Sequence, residues 1–187
     1  MSEAADAMVL AMPAAQAIAL GASHSAVIGQ ARSAVMAPCW STMLALDAAS
    51  ARSSTKTLPA DVLRVSATPA IARAWRESAK AGRPPLGCWV VQSDSEWSAA
   101  HLDDDATLIG AEVALAFASA IGATRAPVHV QAHRWRYATV KTPADMPCLW
   151  DDAMQLGACG DWCNGDGVEG AWRSGLALSD RIARDIG

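Results

Sequence analysis

The chain has almost no phenylalanine or tyrosine, one of each in 187 residues, and little lysine. With lysine scarce and a formal net charge of −4, there is no basic footprint for a phosphate backbone, so nucleic acid is not expected as a partner. No run of about 20 apolar residues is present, so no membrane-spanning helix is expected. Val9 to Leu20 is apolar, but no Lys or Arg precedes Arg32, Glu3 and Asp6 do, and Pro13 and Gln16 interrupt the run. Without a positive leader segment, export is not expected and a cytoplasmic protein is. The five cysteines include no C-x2-C pair: Cys159 and Cys163 are separated by three residues, and Cys148 lies further back. That spacing gives no zinc ribbon, so no metal is expected and the thiols read as free in a reducing compartment. There is no G-x-S-x-G nucleophile elbow, no heptad pattern, no internal repeat and no long low-complexity tract.

What is present is alanine and tryptophan. Apolar residues make up 52% of the chain, much of it alanine, and eight Trp are by far the largest side chains. Tryptophans of this kind pack cores and domain interfaces, leaving one or two to face a ligand. The length suits one or two domains with a real core.

The elements alternate in type. Ala7 to Met12 reads as a buried strand, Ala14 to Leu20 as a helix stopped by Gly21, and Ser25 to Ala31 as a further helical turn. Val35 to Leu46 reads as a strand, Ala48 to Pro59 as a surface loop, and Val62 to Ala67 as an alternating antiparallel strand. Ile71 to Lys80 is ambiguous between helix and a short strand with a bend, followed by a turn at Gly82-Arg83-Pro84-Pro85. Cys88 to Gln92 is a strand, Ser95 to Leu102 a short helix, and Asp103-Asp104-Asp105 caps a second helix over Ala106 to Ile121, ended by Gly122. Three acids at a helix start are accounted for by the dipole, and no calcium site is read from them. Pro127 to Arg136 alternates as a strand, placing His133, Trp135 and Tyr137 on one face and Arg134 and Arg136 on the other.

The most informative stretch runs from Gly160 to Trp172, G-D-W-C-N-G-D-G-V-E-G-A-W. It follows an apolar strand, Met154 to Cys159, and leads into a helix, Val168 to Ile186, whose apolar positions Val168, Ala171, Trp172, Gly175, Leu178 and Ile182 have helical spacing. Strand, Gly/Asp-rich turn and helix bring a ligand onto a helix N-terminus, where unpaired N–H groups favour an anion. Asp161, at the strand end, can accept hydrogen bonds from hydroxyls or cap the turn. Glu169 reads equally as a first-turn acid and as a ligand contact.

G-D-W-C, a Gly-containing spacer and V-E-G-A-W-x-S-G resemble the C-terminal flavin-binding motif of FAD-dependent amine oxidoreductases, most closely the bacterial renalase-like group. Further segments resemble that family in its order: Asp6 to Pro13, Ala37-Pro38-Cys39-Trp40, Arg76 to Arg83, Glu96-Trp97-Ser98 with His101-Leu102, and His133 to Ala138. Ala81 departs from the family, which more often has proline there. The resemblance implies an α+β / α/β fold, the C-terminal portion of an FAD/NAD(P)-binding amine-oxidase-like fold. It has antiparallel substrate-domain strands, flanking helices and no N-terminal G-x-G-x-x-G unit, since Gly21, Gly29 and Gly110 stand alone.

On this resemblance residues 1–34 would end the dinucleotide-binding region, 35–150 form the substrate domain, and 151–187 the FAD-binding strand-turn-helix. Gly160, Asp161, Trp162, Val168, Glu169, Gly170 and Ala171 would meet FAD. Arg76, Lys80 and Arg83 would line the flavin edge, or form a solvated basic loop. His133, Trp135 and Tyr137 would face a substrate pocket, or pack on a helix, and His101 reads as a surface or packing residue.

The activity implied is oxidation of an amine or dihydronicotinamide-type small molecule, with the catalytic residues unassigned. The chain is expected to be a truncated C-terminal fragment, inactive alone, that self-associates or needs a second chain supplying the Rossmann half. The alternative is a non-catalytic, partner-dependent module that does not bind FAD alone.

Overall fold

The computed structural model describes residues 5–47, 62–64, 68–84, 87–123, 125–165 and 167–186, with backbone only for 62–64. The expected loop from Ala48 to Pro59 lies outside the described residues. The chain divides into two compact units, one built from Met1–Ala37 and Tyr137–Gly187, the other from Pro38–Arg136. Among the described residues no helix is long and apolar enough to cross a membrane.

The first unit holds a three-stranded sheet in the order β1-β8-β7, built from β1 (Met8–Ala11), β8 (Leu156–Cys159) and β7 (Leu149–Asp151). β1 and β8 are parallel, Met8 opposite Leu156 and Ala11 opposite Cys159. β7 and β8 are antiparallel, Leu149 opposite Ala158 and Asp151 opposite Leu156. Met154, expected in the strand, lies in the turn before it. Helix α1 (Ala14–Gly21) follows Pro13, and a 3-10 turn covers Ile28–Ser33. Leu10, Ala17, Ile28, Leu156, Ala158 and Trp162 form the core of this unit.

Gly21 does not stop α1 by adopting a left-handed conformation, as expected from the sequence. It is the last helical residue, and a Cβ there would stand 2.9 Å from Leu10 Cδ1 and 3.0 Å from Ile28 Cγ2. Close packing, and not turn geometry, requires the glycine.

The second unit contains most of a five-stranded sheet in the order β3-β4-β5-β2-β6, with β2 (Val35–Leu46), β3 (Val62–Arg64), β4 (Arg73–Arg76), β5 (Gly87–Gln92) and β6 (His129–Thr142). β3, β4, β5 and β2 pair antiparallel in succession. Ile71 to Lys80 resolves into strand β4 and a 3-10 turn at Glu77–Ala79, and Gly82 has φ +74° in the turn that follows.

Helices α2 (Ser95–Ala100) and α3 (Ala106–Ala120) are both capped by aspartate, Asp94 and Asp105 accepting from the N–H groups two and three residues on. Gly122, φ +63°, ends α3 as expected. Trp40, Trp89, Val91, Ile109, Val113 and Phe117 fill this core. Trp89 and Phe117 meet tilted, with ring centroids 5.2 Å apart.

Of the three adjacent acids only Asp105 caps the helix. Asp103 pairs with Arg136 at 2.8 Å and Arg134 at 3.4 Å, and Asp104 with His101 at 2.7 Å.

Candidate functional site

The strand-turn-helix of the first unit begins at β8, whose four residues are all buried between β1 and β7. The turn from Gly160 to Gly165 is tied down by its own backbone. Cys163 N–H donates to Gly160 O at 3.1 Å and Gly165 N–H to Asp161 O at 2.6 Å. Outside partners fix it further: Ala144 N–H donates to Trp162 O at 2.8 Å and Met146 N–H to Cys163 O at 3.2 Å. Gly165 and Gly167 have φ +81° and +58°, with open space where a side chain would be. Helix α4 (Gly167–Ile186) then starts with Gly167, Val168 and Glu169 exposed and Gly170 buried.

The expected contact residues fall into different roles. Asp161 is half-buried, and among the described residues nothing donates to its carboxylate; the turn is closed through its backbone oxygen. Trp162 is fully buried, with its indole N–H donating to Met12 O at 3.0 Å. Its side chain belongs to the core of the first unit. Gly160 is explained by the same indole: a Cβ there would lie 2.5 Å from Trp162 Nε1.

Glu169 is exposed and holds Arg173 at 2.6 Å, one turn along the helix, consistent with a first-turn surface acid. Gly170 is buried, Ala171 half-buried, and Val168 is 90% exposed.

The expected apolar stripe of α4 is only partly the buried one. Gly170, Ser174 and Leu178 face inward, while Val168 and Trp172 are exposed at 90% and 66%. Ser174, missed by a hydrophobicity reading, is fully buried and accepts from Gly160 N–H at 3.2 Å. Its signal is its four-residue spacing from Gly170 and Leu178. The first link from turn to helix is thus a hydroxyl among small residues.

In the second unit, Arg76 lies over the Trp89 ring at 5.2 Å, while Lys80 and Arg83 reach Glu77 at 2.6 and 3.8 Å. Lys80 and Arg83 are exposed. On β6, His133 and Trp135 share a face as alternation requires, their rings 4.5 Å apart edge to face, and both are exposed, not packed on a helix. Arg134 on the other face donates to Leu102 O and lies over Trp40 at 5.8 Å. Tyr137, half-buried, belongs to the first unit. His101 caps α2 and stacks on Trp97 at 4.3 Å, a packing role.

Burial raises the pKa of three thiols of the first unit. Cys163 is pushed up to about 11 despite hydrogen bonds with Ser174 and Gly160, and Cys148 and Cys159 are also raised.

No known family's sequence profile matches the chain. In three dimensions it is similar to a crystal structure described as "Putative protoporphyrinogen oxidase" from Exiguobacterium sp. 255-15, with a TM-score of 0.70 at 12% sequence identity. The match covers 97% of this chain and 42% of that one. The chain thus has a mixed α+β fold found in an oxidase-like protein, and spans less than half of that protein's length.

Proposed function

We propose that this chain contributes the substrate-domain sheet and C-terminal cofactor-facing segment of an FAD-dependent oxidoreductase of the amine-oxidase, renalase-like class. The observation carrying this reading is the half-buried Asp161 carboxylate, without a donor among the described residues, at the end of a strand-turn-helix whose motif resembles that family's flavin segment. The oxidase-like fold similarity supports it.

The residues fit such a group in part. Asp161 would accept from cofactor hydroxyls, and the open backbone at Gly165 and Gly167 leaves room for a close approach. The exposed start of α4, Gly167 to Glu169, would present N–H groups to a phosphate. Gly160, Trp162 and Ser174 act behind them, holding the turn in place. When bound, FAD would supply hydride acceptance from an amine or dihydronicotinamide-type substrate. No group of this chain is assigned as acid, base or nucleophile.

The test is FAD titration of this chain and of the chain joined to, or mixed with, a dinucleotide-binding half. The chain by itself is expected to bind FAD weakly or not at all. In the completed protein, Asp161→Ala should weaken FAD by roughly 10- to 150-fold, the equivalent of one charge-assisted hydrogen bond of about 1.5–3 kcal/mol. Unchanged affinity in Asp161→Ala would remove the main support for the flavin reading.

A second reading, a partner-dependent module without its own chemistry, is favoured by the exposed apolar row Val168, Trp172 and Leu176 on α4. It predicts association that Trp172→Glu abolishes, with no FAD binding in any assembly. Light scattering beside FAD titration separates the two.

A further inference from the structure

The antiparallel pairing of β7 with β8 sets Leu149 opposite Ala158, Trp150 opposite Gly157 and Asp151 opposite Leu156. Continuing that register by one residue sets Cys148 opposite Cys159. Directly opposed residues of antiparallel strands have Cα atoms about 4.5–5.5 Å apart, within the roughly 4.4–6.8 Å that a disulfide spans.

The two side chains also share a face. Cys159, Trp150 and Leu178 form one buried cluster, with Cys148 and Ile182 packed against it. Consistent with this, a Cβ at Gly157, on the same face of β8 as Cys159, would touch both Leu178 and Trp150.

The two thiols are not equivalent. Cys159 is buried, whereas Cys148 is half-buried and lines an open cleft of about 450 Å³ with Gln30, Met146, Arg181 and Arg184. Burial is the larger effect and raises the Cys148 thiol, and the guanidinium groups of Arg181 and Arg184 offset it in part. Both cysteines are free thiols here.

We propose that Cys148 and Cys159 form a peroxide-reactive dithiol site, with Cys148 as the attacking thiol and Cys159 as the resolving one. The Cys148 thiolate attacks one oxygen of hydrogen peroxide, the O–O bond breaks, hydroxide leaves, and Cys148 becomes a sulfenic acid. The Cys159 sulfur then displaces hydroxide from the Cys148 sulfur, losing its proton, and the S–S bond forms. In total two thiols and one peroxide give one disulfide and two waters; the sulfurs lose two electrons and the peroxide gains them. The cross-link would tie β7 to β8 one residue before Gly160 and two before Asp161. This inference does not depend on the flavin reading.

The experiment treats the reduced protein with stoichiometric hydrogen peroxide, then blocks remaining thiols and maps peptides by mass spectrometry. Two of the five thiols should be lost, with a linked peptide pair carrying Cys148 and Cys159. Cys159→Ser should stop at a sulfenic acid on Cys148, trapped by dimedone, and Cys148→Ser should leave Cys159 reduced. Arg181→Ala with Arg184→Ala should slow the reaction by about threefold for each tenfold loss of thiolate, because the loss is partly offset by greater nucleophilicity. The wild-type map needs no variant to fold. A link from Cys159 to Cys163, stable sulfenic acid on Cys148 in the wild type, or five unreacted thiols would each overturn the proposal.

Discussion

Adding one methyl group at Gly160 distinguishes a structural glycine from a cofactor-facing one. Gly160 has no left-handed φ, so alanine suits its backbone, and the cost arises from contact alone. The new Cβ would stand 2.5 Å from Trp162 Nε1 and 2.7 Å from Cδ1, far inside van der Waals distance. Trp162 has nowhere to go: it is fully buried among Leu10, Ala14, Leu156 and Ala158. Moving the indole also strains its 3.0 Å hydrogen bond to Met12 O.

Overpacking of this kind costs about 1–3 kcal/mol. Losing the indole bond adds about 1 kcal/mol. Gly160→Ala should therefore destabilise by about 2–4 kcal/mol, a fall in Tm of roughly 5–15 °C for a protein of this size. The assay is urea and thermal unfolding of Gly160→Ala, Trp162→Leu and the double variant. With the indole gone, the added methyl should cost under about 0.5 kcal/mol, so the two substitutions should couple by at least about 1 kcal/mol. Additive effects, or a Gly160→Ala protein as stable as wild type, would refute the packing argument.

Two further outcomes are expected. The Thr42 hydroxyl is fully buried in β2 and unpaired among the described residues, so Thr42→Val should stabilise by about 1 kcal/mol, read as a Tm higher by roughly 2–4 °C. The Asp151 carboxyl is held below its ordinary value of 3.8, first by the Ser25 hydroxyl at 2.5 Å and then by Met154 N–H. That contribution is complete above the unfolded-state value of about 3.9 and is lost as pH falls through the lower folded value. Asp151→Asn should thus melt below wild type at pH 6–7, with the gap closing below about pH 4; a gap that stays constant from pH 7 to 2.5 would contradict the assignment.

Local chemistry made much of the secondary structure legible. Asp94 and Asp105 cap their helices, Gly122 ends α3 in a left-handed conformation, and strand β2 runs from Val35 to Leu46 as its apolar run indicates. These are signals between residues a few positions apart, and the turn between β8 and α4 is of the same kind, as its Gly and Asp residues announce it.

Tertiary structure decided the rest. Which face of α4 is buried follows from the sheet beneath it, and that face is made of Gly170, Ser174 and Leu178, so a search for large apolar residues selects Val168 and Trp172, which are exposed. Gly21 and Gly160 look like turn residues in sequence but are packing residues in space, because Ile28 and Trp162 occupy the volume a side chain would need. The parallel pairing of β1 with β8 joins segments almost 150 residues apart, and the shared cluster of Cys148 and Cys159 with Trp150 and Leu178 exists only once β7, β8 and α4 pack together. Caps and turns are set by neighbours along the chain, whereas burial, register and the close approach of one side chain to another are set by whichever distant segments share the core.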